Sequence, residues 1–164
     1  MVKVLICLRY LEMICHSIKD YMISLEYIAG MFDGSGSVRI DKVIKRGRTA
    51  FQSIVTISNM NQGIIEKIQE KVGGKINSYH RRSAYRREYF LVMHGKKGAS
   101  FLNQVMPFLV VKKEHAQLFL EFVETLRSNH HGERLSTLVL RKRERIYEEF
   151  KKINKGIPVE KQTL

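Results

Sequence analysis

The chain is 164 residues long and 44% hydrophobic, and its 29 Lys and Arg against 16 Asp and Glu give a formal charge of +13. That content fits one globular domain with a real core and excludes a disordered chain. The charge excess points to a polyanionic partner, with nucleic acid ahead of a membrane surface, since no window approaches the roughly 18 uninterrupted apolar residues of a spanning helix.

Residues 1–22, MVKVLICLRYLEMICHSIKDYM, open with a basic residue and an apolar run, as a signal peptide would. Arg9 and Glu12 break the run and no small-residue cleavage site follows, so the segment reads as a helical extension packed on the domain, or as a translated leader upstream of Met22. Its Cys7 and Cys15 are too far apart for a CxxC element and have no second pair to complete a zinc site; they read as buried or free thiols in a reducing compartment.

Ser24 is the N-cap candidate for the helix LEYIAGMF, which ends at Gly34, after which Gly34 and Gly36 let the chain turn tightly. Residues 37–45 alternate by twos, with Val38, Ile40 and Ile44 opposite Arg39, Asp41 and Val43, as in a half-buried strand. KRGRT turns into AFQSIVTISN, where Phe51, Val55 and Ile57 oppose Gln52, Ile54, Thr56 and Ser58; the pair is a hairpin with one polar face. Residues 61–72 set Ile64, Ile65, Ile68 and Val72 on one helical stripe that stops at Gly73 and Gly74. KINSYH and REYFLVM are two more strands, joined by the basic loop RRSAYRR, and helices follow at 100–106 and 112–126. A very basic helical tail covers about 135–155. The class is α+β: an αββαββα unit with a four-stranded antiparallel sheet backed by helices. Residues 1–22 form an extension, 23–128 the domain, and 129–164 a basic tail packed on the domain or extending it.

One face of such a sheet belongs against the helices, and the other is polar and cationic. Arg39, Asp41, Gln52, Thr56, Lys75, Asn77, Tyr79 and Arg87 are side chains that bond to base edges and phosphates, and a twisted antiparallel ribbon fits the major groove. Arg81 and Arg82, in the loop between the last two strands, suit phosphate contact without choice of base. The helix before the sheet carries Ala29 and Gly30, small enough for two helices to approach closely at a symmetric interface, with Tyr27 beside them. The six histidines show no HxxxH pair, so a histidine metal site is not supported.

The stretch YIAGMFDGSGSV resembles the LAGLIDADG motif, whose usual form near this end is AGFxDGDGS. VTISNMNQ and PFLVVKKEHAQLFLEF follow at spacings typical of that family, and the resemblance covers 23–126. A single motif copy is similar to the homodimeric branch of the LAGLIDADG homing endonucleases, in which two αββαββα units pair their motif helices at the centre. The resemblance implies a homodimer on a long, nearly palindromic double-stranded DNA site, Mg²⁺-dependent phosphodiester hydrolysis, and an intracellular setting that includes organelles. In the family an acid at the second acidic position of the DGDG-like turn binds the metal, and this chain has Ser35 there. A hydroxyl brings no charge to hold Mg²⁺ or polarise a phosphate. The oxygens left at the turn are those of Ser35, the Gly34 carbonyl and Asp33. Asn59 stands where family members carry a polar residue that positions solvent, and Lys112 matches the basic residue that stabilises charge there. The resemblance thus implies DNA recognition with cleavage weak or lost. A binding-only descendant, either a maturase-like RNA binder or a DNA-binding protein, is a second reading, and an unrelated basic protein of ribosomal type a third.

Overall fold

Ser24 opens the first helix, α1 (Leu25–Ser35), by accepting the Tyr27 N–H on its hydroxyl at 3.2 Å. The computed structural model describes residues 23–45, 47–80, 87–126 and 136–155, so the 1–22 extension and both Arg81 and Arg82 lie outside the described residues. α1 buries Ile28, Ala29 and Phe32 and is capped by Gly36, whose φ of −81° any residue can adopt. Gly36 is needed for room instead: a Cβ there would lie 2.1 Å from Phe32 Cδ2 and 2.6 Å from the Phe32 carbonyl oxygen. Gly34 remains inside the helix with open space around it. The expected tight turn through two glycines is therefore a helix that continues to Ser35 and a strand that leaves close over a buried ring. Phe32 is fixed in turn by an edge-on contact with Phe101 at 5.2 Å. We expect Gly36→Ala to cost about 3 kcal/mol, because both the ring and the carbonyl are held in a packed interior. Denaturant unfolding measures this, and an unchanged midpoint would mean that the Phe32 ring yields.

The remaining elements are β1 (Gly36–Lys45), β2 (Arg48–Asn59), α2 (Gln62–Val72), β3 (Lys75–Tyr79), β4 (Glu88–His94), α3 (Gly95–Val105), a 3-10 turn (Met106–Phe108), α4 (Lys113–Leu126) and α5 (Thr137–Asn154). The strands form one antiparallel sheet in the order β1-β2-β4-β3. Val38 pairs with Val55, Val55 with Met93, and both Ile57 and Ile76 with Leu91, so one face is apolar and joins the helices in the core. The period of two sends the partners in between to the other face. β1 and β2 stay paired out to Lys45 and Arg48, whereas β4 reaches only Ile54 to Asn59 of β2. The far half of the first hairpin is thus a two-stranded ribbon standing past the sheet.

The caps of α2 follow the sequence: Asn61 accepts the Ile64 N–H at 3.3 Å, and Gly73 ends the helix with φ at 74°. α3 does not follow it. The helix expected at 100–106 begins at Gly95, because GKKGA, given no element in the sequence reading, is helical as well. Gly98 is there for close packing, since a Cβ would meet Phe119 Cζ and Val55 Cγ2 at 3.0 Å. The basic stretch 137–154 also has an interior side. Ile146 and Phe150 enter the core, and the buried Arg143 donates from Nε to Thr125 Oγ1 at 3.0 Å and from a terminal nitrogen to the Thr125 carbonyl at 2.9 Å. That cation closes the carbonyl end of α4, where the helix dipole favours it. α5 reaches the ribbon as well: Lys42 pairs with Glu144, and the Tyr147 ring stands 5.9 Å from Phe51.

Candidate nucleic-acid interface and central site

Strand register gathers seven of the side chains proposed to touch DNA on the sheet face opposite the helices. Arg39, Asp41, Gln52 and Thr56 come from β1 and β2, and Lys75, Asn77 and Tyr79 from β3. Arg87 is exposed just before β4. Arg39 and Asp41 make an ion pair at 3.6 Å with both side chains largely exposed, a contact weak enough to be exchanged for a base or a phosphate. Ser37, Glu88 and His94 share this face by register and were not foreseen. Between the polar rows stand the half-buried Phe90 and Val92, the apolar kind of surface that meets thymine methyl groups, while Ile54 beside them is buried.

At one end of this sheet three residues distant in sequence meet on the last turn of α1. The Ser35 hydroxyl donates to the Met31 carbonyl at 3.0 Å, and Ser58 Oγ donates to the Ser35 carbonyl at 3.3 Å. Asn59 directs Nδ2 at Met31 Sδ, 3.7 Å away, while its Oδ1 accepts the Asn61 N–H at 2.8 Å. The Lys112 ammonium donates to the Asp33 carbonyl oxygen and lies 6.0 Å from the Phe32 ring centre. Ser35, Asn59 and Lys112 are therefore neighbours around residues 31–35.

Asp33 has a role that the sequence did not announce. Its Oδ2 accepts the N–H groups of Val110 at 2.7 Å and Val111 at 3.2 Å, and its Oδ1 accepts that of Lys112 at 2.9 Å. Burial alone would raise its pKa, but the three N–H bonds and the Lys112 charge outweigh burial and hold the carboxyl below the ordinary aspartate value. Both carboxylate oxygens are thus committed to the protein, which leaves for Mg²⁺ only neutral oxygens among those considered, the Gly34 carbonyl and the Ser35 hydroxyl, whose own hydrogen is given to the Met31 carbonyl. Among the described residues no group of three or more His, Cys, Asp or Glu could hold a metal ion. The donor set at this turn does not fit a carboxylate-held Mg²⁺.

The outer face of α1 is made by Glu26, Tyr27, Gly30 and Gly34. Ala29, expected there with Tyr27 and Gly30, is 0% exposed and belongs to the interior stripe with Ile28 and Phe32. A Cβ placed at Gly30 or Gly34 would have nothing within 4 Å, so this side is flat and open. The second small residue of the face is Gly34, one turn beyond Gly30, and the GMFDG spacing would have found it.

No protein-family model matches the sequence and no curated protein matches it. Solved structures do match in fold. The archaeal intron-encoded homing endonuclease I-Vdi141I, complexed with DNA, superposes with a TM-score of 0.64 at 24% identity, over 78% of this chain and 82% of that one. I-CvuI, in complex with DNA left uncleaved in the presence of Mg, gives 0.62 at 18% identity over 85% of each chain. The LAGLIDADG homing endonuclease I-GzeII, in complex with its DNA target, gives 0.65 at 17% identity over 86% of this chain and 52% of that one. The chain has the fold of the LAGLIDADG homing endonucleases, single-motif examples included. Among the described residues no helix is long and apolar enough to cross a membrane.

Proposed function

We propose that the protein is an intracellular homodimer that recognises a long, nearly palindromic double-stranded DNA site through the open sheet faces of its two subunits, and that cleaves this site slowly or not at all. The observation that carries the reading is the row of polar and cationic side chains on that face, in a fold whose solved examples hold DNA. Two subunits paired through α1 would join two such faces into one continuous surface, and a two-fold protein calls for a two-fold site. The committed Asp33 and the neutral Ser35 support the slow cleavage, since neither offers a free carboxylate to a cation. Selection of bound sequences from a random duplex pool tests the reading. A strong two-fold consensus supports it, and enrichment of no DNA sequence removes it.

Affinity should fall steeply with salt, because Lys and Arg side chains displace counterions from phosphates. Neutralising Arg81 and Arg82 should weaken binding to every sequence alike, whereas Arg39→Ala or Gln52→Ala should relax the choice of base at particular positions, each by about 1–3 kcal/mol. Binding titrations on the consensus and on its single-base variants separate the two. The same proportional loss on all sequences for all four residues would take base readout away from the sheet.

A further inference from the structure

Three consecutive N–H groups, those of Val110, Val111 and Lys112, converge on one carboxylate. They lie just before α4, whose first turn is closed by the bond from the Ala116 N–H to the Lys112 carbonyl at 2.9 Å. This is a nest of donors at the positive end of a helix, and Asp33 is the anion in it. The opposite charge runs the other way: the Lys112 ammonium sits at the carbonyl end of α1, the negative end of that helix, on the oxygen of Asp33 itself. Val110 and Val111 are 84% and 71% exposed, so their side chains do little to fix the loop. Leu109 is buried before it, and the three N–H groups of the loop itself are held by the carboxylate.

We propose that Asp33 is a positioning residue: its carboxylate holds the loop 110–112 and its carbonyl receives the Lys112 ammonium, so that this cation stands fixed beside Ser35 and Asn59 and turned to a DNA phosphate. The part played by Lys112 rests on the function proposed above; the way Asp33 holds the loop does not. A lysine on its flexible four-carbon stem is otherwise a diffuse charge. An ammonium has three N–H donors, and the Asp33 carbonyl takes one, so the others can reach phosphate oxygens. Asp33 touches no DNA in this scheme and acts through Lys112.

Two measurements test this. Amide hydrogen exchange on the free protein reads the loop directly. In the wild type the Val110, Val111 and Lys112 amides should exchange at least tenfold slower than in an unstructured peptide. In Asp33→Asn, where an NH₂ group replaces one acceptor and faces N–H donors, they should lose most of that protection while the β4 amides keep theirs. Fast exchange of all three in the wild type, or the same protection in both proteins, overturns the proposal, and the wild-type half needs no variant. If Asp33→Asn does not fold, Asp33→Ser, which keeps one oxygen, takes its place.

The second measurement is a double-mutant cycle for affinity on the selected duplex. Lys112→Met should lower affinity and reduce the salt slope by about one per subunit. Asp33→Asn should produce much of the same change, and the double variant little more than Lys112→Met alone. A merely structural Asp33 would give additive losses, which would also overturn the proposal. A wild type that selects no duplex would sink the functional reading, and hydrogen exchange would still decide whether Asp33 holds the loop.

Discussion

On its selected duplex with Mg²⁺, Ser35→Asp should cleave on the order of a thousandfold or more faster than the wild type, while the two bind with similar affinity. The size follows from what a bound cation supplies at a phosphodiester: a polarised phosphoryl oxygen and an activated water, together several kcal/mol of transition-state stabilisation. Ser35 is exposed at the end of α1 and its hydroxyl is bonded only to the Met31 carbonyl, so an aspartate fits without disturbing the core. A new negative charge at the carbonyl end of a helix costs up to about 1 kcal/mol of stability. It also repels phosphates, so binding should stay level or weaken slightly. Rapid Mg²⁺-dependent cutting by the wild type would place the metal on other oxygens and defeat the assignment. Cleavage absent from both proteins would show that Asn59 and Lys112 are not poised for the reaction.

In the proposed homodimer, Gly30→Leu should convert the dimer to a monomer, with dimer affinity falling by on the order of a hundredfold or more. A Leu side chain on the flat face of α1 holds two such helices apart and removes the close backbone approach on which their packing depends. Within one subunit the face is exposed and a Cβ at Gly30 meets nothing within 4 Å, so the fold should keep its stability. Replacing a helical glycine even adds up to about 0.8 kcal/mol of helix preference. The expected result is an unusual pair, a subunit that unfolds at the same or higher temperature and a dimer that is gone. Sedimentation velocity with thermal unfolding reads both. A wild type that is already monomeric would remove α1 as the interface.

The regular elements could be read from the chain wherever a local signal and the tertiary demand agreed. Ser24 and Asn61 are caps that act within three residues, Gly73 ends a helix with a positive φ, and the alternation in β1 and β2 follows from one covered face. The misses share a cause, which is a residue whose reason lies elsewhere in the fold. Gly95 and Gly98 are poor helix formers and their stretch reads as no element, yet Gly98 lets α3 approach Phe119 and Val55. Gly36 suggests turn chemistry, yet it clears a ring. Ala29 and Gly30 are both small, and only helix phase tells that one is inside and the other outside. That Ser35, Asn59 and Lys112 lie together was legible through their motif surroundings. The engagement of Asp33 was not, because its three partners are main-chain N–H groups that no side-chain pattern marks. Arg143 looked like one more cation of a basic run and closes a buried helix end.

The unequal lengths of the strands set a lever arm in this molecule. Past Ile54, β1 and β2 have only each other, and a two-stranded ribbon alone is marginal in water. What steadies it comes from behind, through Glu144 on Lys42 and the Tyr147 ring beside Phe51. Asp41 and Gln52 ride on that ribbon, so their aim is set from α5, on the helix-covered side of the sheet opposite the face proposed to meet DNA. A designer who redraws the proposed recognition surface by exchanging exposed side chains would be changing the pointer and leaving its mount untouched. Under the proposed function, changing α5 at Glu144 and Tyr147 should swing the pointer and alter base choice without any new contact to a base.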